Sequence, residues 1–390
     1  MLSIRDDVFN TMEDRDLSLE TAASILEIHV NSLYNFKKSG SIGFRSLLKL
    51  AQLLYGKDYH DKMREWCLLL PSTEAIKHAF EYAAIKRDTD LLKNLLEGAD
   101  GDSYLEAYSG VYGVILDYMN DEIDFNDLFP SLHAIKLGKD KDLKILVNIF
   151  KCYQLYFEKD FTTISSESLK IFECIEGLNN DRKHFFKECY LYRLSEIMMP
   201  VNLYFSHYAE ARKFCKVIIN SKISSKTMSD AYYYIGMSYL LDDKDECLKN
   251  LAISLKLMET VGEARLVKEA ENNLALAETY FTIREEGVLK DVSDLVNSMR
   301  LKESSDFARY FSFRLKNDLE AIYEGFSHFI ESANFLFAGL IVEDLAAFGV
   351  DQRQINALKS INYIKKGEID FEKNYANSFS YWSCIDGVGA

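Results

Sequence analysis

Tyr232-Tyr-Tyr-Ile-Gly236-Met-Ser-Tyr239, followed shortly by Cys247-Leu-Lys-Asn-Leu251, decides how this chain folds. In the first segment bulky residues recur at three- and four-residue spacing, the stripe of a helix with one buried face. Glycine is a poor helix former, so Gly236 inside that stripe points to a neighbouring helix that approaches closely. Leu241-Asp-Asp-Lys-Asp supplies a polar turn. On the returning helix Cys247 is small and Leu251, one turn later, is bulky. The unit reads as a helical hairpin with Tyr239 filling the groove between its arms.

The same reading extends outward. Three prolines in 390 residues, and very few alternating runs, leave helix as the dominant element. Helical stripes run through Phe44–Tyr55, Asp142–Phe157, His184–Met199 and Ala264–Phe281. Short breaks such as Gly56-Lys-Asp, Gly101-Asp-Ser and Gly138-Lys-Asp separate them, and no Gly/Ser-rich or Pro-rich linker intervenes. The aromatic–glycine–tyrosine order matches a tetratricopeptide unit whose turn is one residue short. Fragments of its second helix recur in Tyr208-Ala-Glu-Ala-Arg-Lys-Phe-Cys and Ala321-Ile-Tyr-Glu-Gly-Phe-Ser-His-Phe. The expected fold is all-α, an N-terminal helix-turn-helix followed by a tetratricopeptide-like α-solenoid with a concave groove. Generic helical hairpins are the alternative.

Composition narrows the function. Sixty-one acids against 46 bases give a net charge of −15, which argues against a protein that binds nucleic acid over its whole surface. Cys67, Cys152, Cys174, Cys189, Cys215, Cys247 and Cys384 form no C-x-x-C pair, so a reducing cytoplasm is expected. The N-terminus lacks a signal-peptide pattern and no apolar run approaches ~20 residues, so no membrane partner is expected. His29, His60, His78, His133, His184, His207 and His328 show no metal-ligand spacing, and no phosphate loop or nucleophile elbow is present. The expectation is no enzyme, no metal and no cofactor.

Leu17–Phe36 carries the most specific signal. Ser18 suits an N-cap, Ala22 and Ala23 suit a close helix crossing, and Ile28, Leu33 and Phe36 suit the buried positions of a turn and second helix. Glu27 stands where a helix-turn-helix usually has glycine. The second helix, over roughly 31–38, would present Asn31, Ser32, Tyr34, Asn35, Lys37 and Lys38 outward. Between Glu27 and Asp58 no acid occurs, whereas Lys37, Lys38, Arg45, Lys49 and Lys57 do. Such a window suits a double-stranded DNA operator, with Arg45 and Lys49 on backbone phosphates. So few cations imply a homodimer reading two half-sites. A solvated helical cap is the alternative.

Ser32-Leu-Tyr-Asn-Phe36, Phe44, Tyr59…Met63-Arg-Glu-Trp-Cys67, Ala75…Ala79-Phe-Glu-Tyr-Ala83 and Tyr234-Ile-Gly-Met-Ser-Tyr-Leu-Leu241 carry a resemblance. With this order of parts, the chain resembles the peptide-pheromone receptors of Gram-positive bacteria and their phages, above all the arbitrium receptors. The resemblance implies a DNA-binding regulator of the lysis–lysogeny decision, controlled by a short signalling peptide, a hexapeptide ending in Gly-Ala. It implies domains over 1–70 for DNA, 71–370 for the peptide-binding repeats and 371–390 as a tail. Lys226 aligns with the arginine that holds the peptide carboxylate, and Met237 with an asparagine contact. Asn202 is a retained amide, Asn334 replaces an aspartate that meets the peptide's basic side chain, and Leu336 replaces an aromatic. Those last changes imply a peptide without the arginine, or another ligand. Asn272 and Asn273 are further groove candidates from helical position. The tail Ser380–Ala390 itself ends in Gly-Ala, so competition with the peptide in cis stands beside a plain tail. A partner-binding repeat adaptor without DNA binding is the alternative function.

Overall fold

The computed structural model describes residues 3–180, 182–286 and 305–361, all helices and turns, with no strand among them. The chain is all-α and of the helical-repeat kind. Packing divides it into two compact units. One comprises 3–158 with 166–194, and the other comprises 159–165 with the described residues of 195–361. The tail from 371 lies outside the described residues.

The first unit opens with α1 (Ile4–Asp14), α2 (Leu19–Leu26), α3 (Val30–Ser39), α4 (Phe44–Tyr55) and α5 (Tyr59–Cys67). Ser18 caps α2 by accepting the N–H of Thr21, as its position predicts. Ala22, Ala23, Leu33 and Phe36 are buried, so the α2–α3 pair has the expected helix-turn-helix core. Glu27 takes the left-handed conformation at the turn, φ 49°, where glycine would be unstrained. Helix α1 is clasped to the later helices. The Trp66 indole donates to Asp7 at 2.8 Å, Thr11 and Tyr55 share a hydroxyl contact at 2.9 Å, and Phe9 lies 5.4 Å from Phe36. These five helices share their unit with α6 (Thr73–Lys86), α7 (Thr89–Gly98), α8 (Glu106–Met119), α9 (Phe125–Ala134) and α10 (Lys141–Phe157). Packing therefore draws no boundary at residue 70.

Two further helices, α11 (Phe161–Glu176) and α12 (His184–Tyr204), contribute residues to both units. Proline does not end α12: Pro200 lies inside it, five residues beyond the sequence expectation of Met199 at its far end, Tyr204. The reason is burial. Nearly every α12 side chain is enclosed, and that packing outweighs the hydrogen bond Pro200 cannot make.

The second unit continues with α13 (Tyr208–Ser221), α14 (Ser225–Met237), α15 (Lys244–Val261) and α16 (Ala264–Glu286), then α17 (Asp306–Arg314), α18 (Leu319–Glu331), α19 (Phe335–Ala347) and α20 (Gln352–Lys359). The α14–α15 hairpin is the one read from Gly236. A Cβ there would stand 2.9 Å from the Leu251 side chain and 3.0 Å from the Cys247 carbonyl, so only hydrogen fits. Gly325 in α18 repeats the device against the Phe313 ring, also at 2.9 Å. Met237, Leu240, Cys247 and Leu251 join one apolar core with residues of α16 to α19.

Candidate functional sites

The first candidate is the outer face of α3. His29 caps the helix, its Nδ1 accepting the N–H of Asn31 at 3.2 Å. Asn31, Tyr34, Asn35, Lys37 and Lys38 are exposed and Ser32 is half-buried, while Leu33 and Phe36 face inward. All six predicted residues thus share the helix whose other face is core. The Tyr34 hydroxyl donates to Glu20 at 2.6 Å, which pushes the phenol above its ordinary range and holds Glu20 below its own. Lys37 lies 5.6 Å from the Phe9 ring centre.

Two predicted phosphate contacts turn elsewhere. Lys49 is 7 % exposed and donates to the Leu26 carbonyl at 2.9 Å, closing the C-terminus of α2. Arg45 grips Glu188 of α12 through Nε at 2.9 Å and Nη2 at 2.6 Å. Glu188 is enclosed, and burial pushes its carboxyl upward while Arg45 opposes the shift. Each cation answers a buried acceptor that would otherwise lie unsatisfied, which the linear charge count does not reveal.

The second candidate is a cavity of about 270 Å³ in the second unit. Helices α14, α15 and α16, the last turn of α12 and the first turns of α17 and α19 supply its walls. Tyr204, Tyr233, Tyr234 and Phe337 make the aromatic surface, and Leu203, Met237, Leu251, Met258, Leu266 and Leu336 the aliphatic one. The polar lining includes Lys226, Asp230, Ser254, Glu269, Asn273 and Asp306. Lys226 pairs with Asp230 at 2.8 Å, one turn along α14. Among the described residues of the lining, one ammonium stands against three carboxylates, with Glu269 and Asp306 in no ion pair.

Of the seven predicted groove residues, Lys226, Met237, Asn273 and Leu336 line this cavity. Asn202, Asn272 and Asn334 do not. Asn202 is buried and donates to the Met198 carbonyl in its own helix, satisfying an amide that has no route to solvent. Asn272 is half-buried outside the lining. Asn334 is 2 % exposed and works one layer back: it caps α19 by accepting the Phe337 N–H and donates to the Asp306 carboxylate at 2.8 Å. A carboxylate therefore stands at this wall although residue 334 is an amide. Sequence reasoning missed Asp230, Glu269, Asp306 and the tyrosines. Only Asp230, four residues after Lys226, and Tyr233–Tyr234, inside the decisive stretch, left a local signal.

Among the described residues no group of His, Cys, Asp and Glu is arranged to hold a metal ion. Burial pushes the thiols of Cys152 and Cys247 up to about 12, the reverse of an activated nucleophile. No described helix is long and apolar enough to cross a membrane.

The family model for AimR transcriptional regulator-like proteins matches residues 60–300, more than half of the chain and all of α6 to α16. The chain belongs to the AimR transcriptional regulator-like family. That is a family of regulators rather than of enzymes. The fold is also that of solved AimR structures. Selenomethionine phAimR is similar with a TM-score of 0.68 at 17% identity, over 91% of this chain and 100% of that one. Ligand-bound phAimR is similar with a TM-score of 0.58 at 18% identity, over 78% of this chain and 96% of that one. No curated protein matches. In this AimR-like chain the cavity lies within the matched span except for its α17 and α19 walls, whereas α1 to α4 precede it.

Proposed function

We propose that this chain is a sequence-specific DNA-binding transcriptional regulator switched by a short peptide, of the kind that sets the lysis–lysogeny decision of temperate phages. The observation that carries the reading is the α14–α16 cavity, which joins aromatic and aliphatic walls to a lysine and, beyond its Asp230 partner, two further carboxylates in an AimR-like fold. Small-molecule and peptide sites have this make-up, mostly apolar with a few placed charges.

The charges orient the ligand. Lys226 exchanges Asp230 for the peptide's C-terminal carboxylate, as a point charge rather than a bidentate fork. Asp306, held by Asn334, and Glu269 favour a basic side chain in the same cavity. That reverses the expectation drawn from Asn334 alone, because the charge has moved to a neighbouring helix. A hexapeptide ending in Gly-Ala with one arginine or lysine fits this arrangement. The exposed face of α3 reads the operator, two copies in a homodimer read two half-sites, and the peptide shifts the balance between DNA-competent and incompetent dimers.

A gel shift with duplex from around the gene's own locus, with and without candidate hexapeptides, tests the reading. A retarded band that a basic hexapeptide abolishes is the expected result, and no retarded band at low salt would sink it. The family match begins at residue 60, after α4, which favours one second reading: a peptide-responsive adaptor that grips a protein partner. In that case peptide binding survives and no duplex is retarded.

A further inference from the structure

A second basic surface lies in the first unit, away from α3 in sequence. Between Asp127 and Glu158 the chain holds Lys136, Lys139, Lys141, Lys144 and Lys151 against only Asp140 and Asp142. Both aspartates are spent internally. Asp140 caps α10, accepting the N–H groups of Asp142 and Leu143 at 3.0 and 3.1 Å. Asp142 is buried and ion-paired with Lys183. Lys151 pairs with Glu167. The remaining four lysines, all within nine residues, are exposed and make no ion pair or hydrogen bond among the described residues.

Their placement does not favour the helix that carries two of them. Lys141 and Lys144 stand one turn apart on the same face of α10, at the N-terminal end, where the helix dipole disfavours cations. In the window around α3, Arg45 and Lys49 are turned inward, leaving Lys37, Lys38 and Lys57 exposed. The second window thus exposes four lysine ammoniums where the first exposes three, in a chain of net charge −15.

We propose that Lys136, Lys139, Lys141 and Lys144 form a second contact with duplex DNA, on its phosphate backbone, which rests on the DNA-binding reading of this unit. Lysines on flexible stems bind phosphate as point charges and carry no sequence information, so they add affinity and fix orientation while α3 selects the site. A membrane surface suits the patch less well. Basic membrane-binding faces pair cations with exposed bulky apolar groups, and no large hydrophobic side chain between Lys136 and Lys144 is exposed.

Fluorescence anisotropy of the full chain tests this, on a locus duplex and a random duplex over a salt series. Three forms are compared: wild type, K37Q/K38Q, and K136Q/K139Q/K141Q/K144Q, whose four changes are all exposed. Far-ultraviolet circular dichroism checks that helix content is kept. The fourfold variant is expected to bind both duplexes at least about tenfold more weakly, with a log–log salt slope shallower by about 3 to 4. The locus-to-random ratio is expected to stay unchanged, whereas K37Q/K38Q lowers it. An unchanged slope in the fourfold variant overturns the proposal, as does a wild type that binds neither duplex. A slope lost in the fourfold variant but kept in K37Q/K38Q upholds this patch while the reading of α3 fails. Sedimentation with phosphatidylserine vesicles supplies the rival: vesicle binding lost in the fourfold variant, with the DNA slope kept, assigns the patch to membrane instead.

Discussion

The α3 face and the α14–α16 cavity are both polar sites on helices, but they are built in opposite ways. The α3 face takes its groups from one contiguous segment, Asn31 to Lys38, sorted by helix periodicity into core and surface. The cavity draws Lys226 and Asp230 from α14, Glu269 from α16 and Asp306 from α17, and surrounds them with aromatic side chains. The first tolerates losses one cation at a time, because solvent already screens each charge. The second concentrates charge between apolar walls, where each group depends on the placement of the others. This difference can be broken or sharpened one residue at a time.

Of changes confined to these two sites, removing the two exposed lysines of α3 has the largest expected effect. Lys37→Ala with Lys38→Ala weakens duplex binding on the order of ten- to a hundredfold and makes the salt slope shallower by about 2. Peptide affinity, read by isothermal titration calorimetry, is expected to stay the same. A parallel loss of peptide affinity would mean that the two sites are not independent.

At the cavity, Asp306→Asn isolates one charge. Charge-assisted hydrogen bonds contribute about 1.5–3 kcal/mol, so a hexapeptide with a basic side chain is expected to bind ten- to a hundredfold more weakly. A peptide with a neutral side chain at that position is expected to lose little. Equal losses for both peptides would show that Asp306 shapes the wall rather than pairing with the ligand.

These two sites were unequally legible in the sequence. Ser18, Ala22, Ala23, Leu33 and Phe36 announced a buried seam by local rules of capping and periodicity, and the structure places each as those rules require. Gly236 announced a close helix approach for the same reason. The inward engagement of Arg45 and Lys49 was not legible, because their partners, Glu188 and the Leu26 carbonyl, become neighbours only on folding. Asn334 stands one layer behind the cavity lining. It touches the carboxylate that faces the cavity instead of facing it, and no spacing rule links residue 306 to residue 334.

Gly236→Ala tests the close approach on which the cavity's frame depends. The added methyl meets the Leu251 side chain and the Cys247 backbone, so a loss of about 1–3 kcal/mol is expected in urea unfolding. Because Tyr233, Tyr234 and Met237 share that helix and line the cavity, peptide affinity should fall as well. Stability unchanged from wild type would mean that α14 and α15 can separate freely, which the buried Leu251 contradicts.

Lys49→Met asks whether a basic residue near the α3 face acts on DNA or on the fold. The substitution keeps the apolar stem and deletes the ammonium that meets the Leu26 carbonyl, so a destabilisation of about 1 kcal/mol is expected. The salt slope of duplex binding is expected to stay at its wild-type value. A slope shallower by about 1 would restore Lys49 to the phosphate-contacting set.

Glu27→Gly gives the smallest effect and the cleanest sign. Glu27 sits between α2 and α3 at φ 49° and ψ 47°, a conformation that crowds any Cβ. Its N–H already bonds the Ala23 and Ser24 carbonyls, so the turn geometry is fixed by backbone contacts that glycine keeps. Glycine removes the left-handed strain but gives the unfolded chain more freedom, and the two effects oppose each other. The strain is the larger, so a net gain of about 0.5 kcal/mol is expected in thermal unfolding. A loss of stability would mean that the Glu27 side chain makes a compensating contribution at this turn. That outcome would explain why an acid stands at the edge of an otherwise basic stretch.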